Sequence, residues 1–115
     1  MVIKRAHGGR ILAGKVREAR TFFARLRGWL GRRPPASGGG IYLTPCAWVH
    51  TWGLGFSLDV IYLSRAGRIL AVRTLRPWTL GPWVPGAHGV LELAAGAAGD
   101  CRPGEELRQE QGHGW

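Results

Sequence analysis

Glycine and proline punctuate this chain too often for long helices. The 115 residues include nineteen glycines and seven prolines. Each glycine in a helix interior costs about 1 kcal/mol relative to alanine, and proline breaks the helix. A helix bundle is therefore excluded, and short elements joined by tight turns are favoured. The length suits one domain, and 45% apolar residues can build a core without disulfides or metal.

Between the turns the pattern is that of strands. Leu58–Leu63 (LDVIYL) is apolar almost throughout, as expected of a strand covered on both faces. Arg65-Ala66-Gly67 forms a hairpin loop, and Arg68–Arg76 returns as the next strand. Lys15–Arg20, Ile41–Leu43, Val90–Ala95 and Glu105–Leu107 supply further short strands, and Ala47–Trp52 is strand-like ahead of a Gly53-Leu54-Gly55 turn. One helix is predicted, with Thr21 as N-cap to FFARLRGWLG. Phe22, Leu26, Trp29 and Leu30 fall on one apolar face, which suits a helix capping a sheet, and Gly31 and Pro34-Pro35 end it. The predicted fold is mainly β: a small antiparallel β-sandwich or open barrel with one short N-terminal amphipathic helix. Residues 15–107 form the domain, 1–14 a flexible basic arm and 108–115 a disordered tail.

Charge is unevenly placed. Residues 1–33 carry ten Lys or Arg against the single Glu18, whereas the rest carry six basic and six acidic residues. That asymmetry is compatible with a solvated surface, or with a polyanion such as nucleic acid or an anionic membrane met by Arg25, Arg27, Arg32 and Arg33. No apolar run has the length of a signal-peptide core or a membrane span, so a cytoplasmic location is expected. Cys46 and Cys101 are then expected as free thiols rather than a bridge, although the sequence by itself leaves a disulfide open.

Chemistry-bearing residues concentrate in Thr44–Tyr62 (TPCAWVHTWGLGFSLDVIY), which holds Cys46, His50 and Asp59. If 46–52 and 57–63 form a hairpin turning at Leu54-Gly55, His50 stands opposite Asp59 at a Cβ separation of about 5 Å. A His–Asp hydrogen bond would follow. A slip of one residue would break it. On a straight strand Cys46 lies about 13 Å from His50, too far to share a metal or act as a nucleophile–base pair unless Pro45 bends the chain. Cys-x-x-x-His is therefore a weak metal signal, even with His88 and His113 as further ligands, and no metal or cofactor is expected. Asp59, between Leu58 and Val60, also reads as a carboxylate anchoring a turn. Glu92 interrupts an apolar strand; it either faces solvent on an edge, pairs with an arginine or joins the polar cluster. Trp78 and Trp83, in the proline-rich loop Pro77–Gly86, either plug the core or line a groove.

Phosphate-loop, dinucleotide, zinc-protease and nucleophile-elbow motifs are absent. One resemblance is present. The blocks R-L-R-G-W-L-G-R (Arg25–Arg32), P-C-A-W-V-H-T (Pro45–Thr51), L-D-V-I-Y-L (Leu58–Leu63), R-P-W (Arg76–Trp78) and V-L-E-L-A-A-G (Val90–Gly96) resemble, in order and spacing, the family known as domain of unknown function 192. The resemblance covers roughly residues 16 to 107. It implies a small, mainly β, sandwich-like fold with one helix near the start, and no established activity. Many relatives of that family carry a secretion signal or lipoprotein leader, whereas none is expected here. Its departures, at Trp29, Leu54 and Ser57-Leu58, keep apolar bulk and leave His50, Thr51, Asp59 and Glu92 in place.

The expected function is a small ligand-binding or accessory module for an unidentified small ligand or protein partner. Its pocket would hold His50, Thr51, Asp59 and Glu92 between Trp48, Trp52 and Trp78. One alternative is a cysteine-dependent enzyme with Cys46 as nucleophile, His50 as base and Asp59 orienting it. A second is nucleic-acid or anionic-membrane binding through the arginine-rich first third.

Overall fold

The apolar run Leu58–Leu63 is strand β5, and all six of its residues are buried. In the computed structural model, which describes residues 1–110 and 115, it lies between two antiparallel neighbours. The side chain of Phe22, named above on the helix face, and residues 111–114, including His113, lie outside the described residues.

Numbered from the N-terminus, the other strands are β1 (Val2–Arg5), β2 (Ile11–Ala13), β3 (Lys15–Ala19), β4 (Gly39–Leu43), β6 (Ile69–Leu75), β7 (Gly89–Ala94) and β8 (Leu107–Glu110), with helix α1 at Phe22–Arg27. The main sheet has the order β3-β4-β7-β5-β6, and a smaller one the order β2-β1-β8. Among the described residues the fold is mainly β, with two sheets that do not close into a barrel and one short helix. Among the described residues no helix is long and apolar enough to cross a membrane. One pair of strands is parallel, β3 with β4. Parallel neighbours need a crossover connection, and α1 supplies it.

Each face of the main sheet has its own cover. On one face Tyr42, Ile61, Leu63, Leu91 and Leu93 meet Ile3, Ala13 and Leu107 of the small sheet. On the other face Leu58, Val60, Tyr62 and Val90 pack under Val49 and Leu54 of the loop after β4, with Trp29 and Cys46 at the margin. Burial from both sides explains why β5 reads as a continuous apolar run.

Three expectations change. Residues 1–14 are not a loose arm: β1 is the middle strand of the small sheet, hydrogen-bonded along both edges. Its charges are paired as well. Lys4 Nζ lies 2.8 Å from Glu110, and the Arg5 guanidinium holds Glu105 at 2.5 and 2.9 Å and Asp100 at 2.5 Å. Part of the basic charge at the chain start thus meets acidic charge from the chain end. Nor is 108–115 wholly a tail, since β8 runs through Glu110 and Trp115 packs edge-on against Tyr42 at 5.1 Å.

The helix is shorter than its pattern predicts. Thr21 caps it as expected, its hydroxyl accepting from Ala24 N at 3.1 Å. It ends at Arg27 because Gly28 turns to φ +47°, ψ −120°, a conformation open to glycine. Leu26 and Leu30 consequently point outward, while Trp29 packs inward. The Gly28 carbonyl, orphaned at the helix end, accepts from Arg32 Nε at 3.1 Å.

Candidate functional site

Pro45 follows the end of β4, and the chain then crosses the main sheet as a loop rather than as the first arm of a hairpin. Its partner is the proline-rich segment, not β5. Cys46 N donates to His88 O, Val84 N to Ala47 O, Gly81 N to Val49 O and Thr51 N to Thr79 O, all at 2.8–2.9 Å. His50 stands opposite Leu80. Pro77, Pro82 and Pro85 keep this segment from forming a regular strand, yet it still supplies backbone groups to its neighbour.

This pairing dissolves the predicted His50–Asp59 contact. Asp59 faces Thr74 and Leu93 across the ladder, on the face covered by the small sheet. Its carboxylate accepts from Thr74 Oγ1 at 2.8 Å and from Gly96 N and Ala98 N at 2.9 Å each. Asp59 therefore anchors the turn after β7, the second of its two readings. Thr51 is also spent on structure. Fully buried, its hydroxyl donates to Arg76 O at 2.5 Å and accepts from Thr79 N at 2.8 Å, clamping the two loops together.

Five other candidates do converge. Cys46, Trp48, His50, Trp52 and Glu92 line one groove of about 530 Å³, on the face where the loops and α1 cover the main sheet. Arg25 and Arg27 stand on its helix side, and Trp83 of the proline-rich loop joins the wall. Trp78 is 70% exposed, held at φ +58°, and takes no part in this wall. Arg32 belongs to a smaller hollow beside β3 and β4, and Arg33 is exposed. Sequence reasoning misses Leu26, Gly28, Trp29 and Leu30 as groove residues. The G-W-L-G block carries the signal, since a glycine in mid-helix invites an early stop that swings the following residues off the helical face.

Electrostatics set the character of the floor. Glu92 lies on the central strand β7, 3% exposed, and its Oε1 has no hydrogen-bond partner. Burial raises its pKa to about 8, so it is mostly a neutral acid at pH 7, able to donate its proton in a hydrogen bond. The bare backbone of Gly28 leaves room above it; a Cβ there would come within 3.4 Å of Oε1. The indole N–H of Trp29 is also buried and unpartnered. Burial pushes the Cys46 thiol up, and nearby Glu92 adds to the effect. The Cys46 sulfur lies 3.0 Å from Trp48 O, which accepts its proton. His50 Nδ1 accepts from Trp52 N at 3.2 Å, leaving the ring proton on Nε2, and the imidazole stacks on Trp52 at 4.5 Å.

A Cys46–His50–Asp59 triad is thus not assembled. Asp59 is on the opposite face of the sheet, and the thiol is shifted away from the thiolate a nucleophile needs. Among the described residues no three His, Cys, Asp or Glu side chains gather as a metal-ligand set.

Known proteins share this frame. The fold resembles a crystal structure of a "putative transcription regulator" from Sinorhizobium meliloti 1021, with TM-score 0.75, 22% identity, 92% of this chain and 88% of that one covered. It also resembles a protein of unknown function from Novosphingobium aromaticivorans DSM 12444, with TM-score 0.78, 19% identity and coverage of 94% and 82%. At these identities the likeness speaks for the fold alone. A UPF0127 protein of Thermococcus sibiricus is 30% identical over an alignment 95 residues long, with 76% of this chain and 60% of that protein's length covered. The DUF192 family model, described as Uncharacterized ACR, matches residues 2–109, and on that match the chain belongs to the DUF192 family.

Proposed function

We propose that the protein is a small-ligand-binding module whose ligand lies in the groove between α1 and the paired loops. The observation that carries this reading is Glu92: a carboxyl on the central strand, almost fully buried, with an unpartnered Oε1, and part of the groove lining. Burying a polar group without a partner costs roughly 1–3 kcal/mol, and a ligand offering an acceptor would offset that cost. A mostly apolar cavity with a few convergent polar groups is the usual form of a ligand site.

The lining favours one ligand chemistry. Trp29, Trp48 and Trp83 suit a flat or aliphatic body. A protonated Glu92 and the Trp29 N–H both donate, so the body carries an oxygen acceptor such as a carbonyl or ether. Arg25 and Arg27 favour an anionic group at the helix end of the groove. His50 contributes an edge with its proton on Nε2, whereas Thr51 and Asp59 brace the loops and the turn without touching the ligand.

The probe 8-anilinonaphthalene-1-sulfonate has this chemistry in outline, an aromatic body with an anionic end. Fluorescence titration at pH 6 should show saturable binding to the folded protein. Trp48→Ala and the Arg25→Gln/Arg27→Gln pair should each weaken it about tenfold, on the scale of one large apolar side chain or one charge-assisted contact. Trp78→Ala, outside the groove, should not. Equal effects from Trp78→Ala and Trp48→Ala, or no saturable binding, would refute the reading.

A further inference from the structure

The groove has a second property, carried by its rim rather than its floor. Leu26, Leu30, Trp48, Trp52 and Trp83 all line it, and each is 47–66% exposed. Side chains of this size are ordinarily scattered singly over a surface; here five share one opening. Two come from the end of α1 and the turn after it, and three from the paired loops. The cluster is therefore a product of the fold and not of one apolar segment.

The charges around this rim are one-sided. Of seven acidic residues in the chain, Asp59 and Glu92 are buried, and Glu18 is bonded to Arg20 at 2.6 Å. The other four, Asp100, Glu105, Glu106 and Glu110, lie in the segment that leads into and forms β8, whose sheet covers the opposite face of the main sheet. Two of these hold Arg5, and Glu110 holds Lys4. The groove wall thus presents Arg25 and Arg27 beside exposed tryptophan and leucine, with no exposed carboxylate among its described residues.

We propose that this face docks on an anionic lipid bilayer, with the five apolar side chains at the headgroup–acyl boundary and Arg25 and Arg27 among the lipid phosphates. Tryptophan, leucine and arginine on one face are the composition of interfacial membrane contacts, where indole rings settle at headgroup level. Nucleic acid would use the arginines and stack on the indoles, but it leaves Leu26 and Leu30 without a role. A second copy of the chain would set Arg25 and Arg27 against their own like charges across an isologous interface. The docking does not depend on the groove holding a ligand.

The test is flotation of the purified protein with unilamellar vesicles of phosphatidylcholine alone or mixed equally with phosphatidylglycerol. Binding to the mixed vesicles is expected, and it should be about tenfold weaker or more without phosphatidylglycerol. The Trp48→Ala/Trp83→Ala pair should weaken it about tenfold or more, the scale of one large apolar side chain withdrawn from water. Arg25→Gln/Arg27→Gln should weaken it on the mixed vesicles only, roughly fivefold per arginine. All four side chains are at least partly exposed, so unchanged thermal melts of these variants certify that the fold is intact. Glu92→Gln should leave vesicle binding unaltered, which separates docking from ligand uptake. Equal binding to both lipid compositions would overturn the proposal, as would a loss on Trp78→Ala matching that of the Trp48→Ala/Trp83→Ala pair. Absence of flotation would overturn it too; tryptophan-dependent retention of single-stranded DNA, or of a second copy in sedimentation, would then assign the face to that occupant instead.

Discussion

Glu92 concentrates on one side chain the tension between the fold and its site. A carboxyl in a central strand is among the least favourable groups to bury, and it stays buried by keeping its proton. An unfolded glutamate loses that proton near its ordinary pKa of 4.5, whereas the folded protein holds it to about 8. Between these values the folded state binds more protons than the unfolded one, so stability falls as pH rises, by up to about 1.4 kcal/mol per pH unit, and levels off above 8. Other groups titrate too; burial, for example, lowers the pKa of His88. The contribution of Glu92 is therefore read as the difference between the protein and its Glu92→Gln variant. Urea unfolding from pH 4.5 to 9 should show the Glu92→Gln variant gaining steadily on the parent until about pH 8. Parallel stability curves would mean that Glu92 ionises normally and that the groove floor is not a neutral donor.

At the scale of elements, what is legible in the sequence follows from what each element depends on. Strands β4, β5 and β7 are readable because their apolar runs are set by burial on both faces, a property of each segment by itself, and the edge strand β6, with Arg73 and Thr74 exposed, is readable as the return arm of a hairpin. Segment 46–52 reads as a partner of β5, which it is not, because its true partner, 79–88, is rich in proline and gives no strand signal; only the backbone hydrogen bonds identify it. Asp59 and Thr51 draw attention as polar residues in apolar surroundings, but backbone amides and carbonyls satisfy most of their needs. Cys46, Trp48, His50, Trp52 and Glu92 line one groove, although the contact that brings Glu92 under the end of α1 depends on Gly28 and has no signature in spacing. Packing between strands has the same hidden character. Gly89 opens β7, and a Cβ there would overlap the ring and hydroxyl of fully buried Tyr42 on β4. Gly89→Ala should therefore cost about 1–3 kcal/mol, as an overpacked core does. Gly55→Ala, where a Cβ meets nothing within 4 Å, should be near neutral by the same denaturation measurement.

For the molecule as a whole, the two covers of the main sheet differ in kind, and so do their consequences. The groove side is closed by loops and one short helix, which leave a cavity and an apolar rim; the other side is closed by a regular sheet. That second cover rests on the first residues of the chain. β1 is hydrogen-bonded to both β2 and β8, and Ile3 is fully buried against the largest apolar cluster. A flexible arm could be removed at little cost. Here, removing residues 1–14 deletes two of three strands, unpairs β8 and uncovers Tyr42, Ile61, Leu63, Leu91 and Leu93 together. The shortened chain should lose its cooperative thermal transition by circular dichroism. Ile3→Ala grades the same effect, costing about 2–5 kcal/mol as for other large-to-small core substitutions. A cooperative melt within a few degrees of the parent for the shortened chain would mean that the small sheet is ornamental and that the main sheet is held from the groove side alone. With a collapse, the opposite holds: the chain start and chain end, whose opposite charges meet at Arg5, are what close the fold and free the other face for binding.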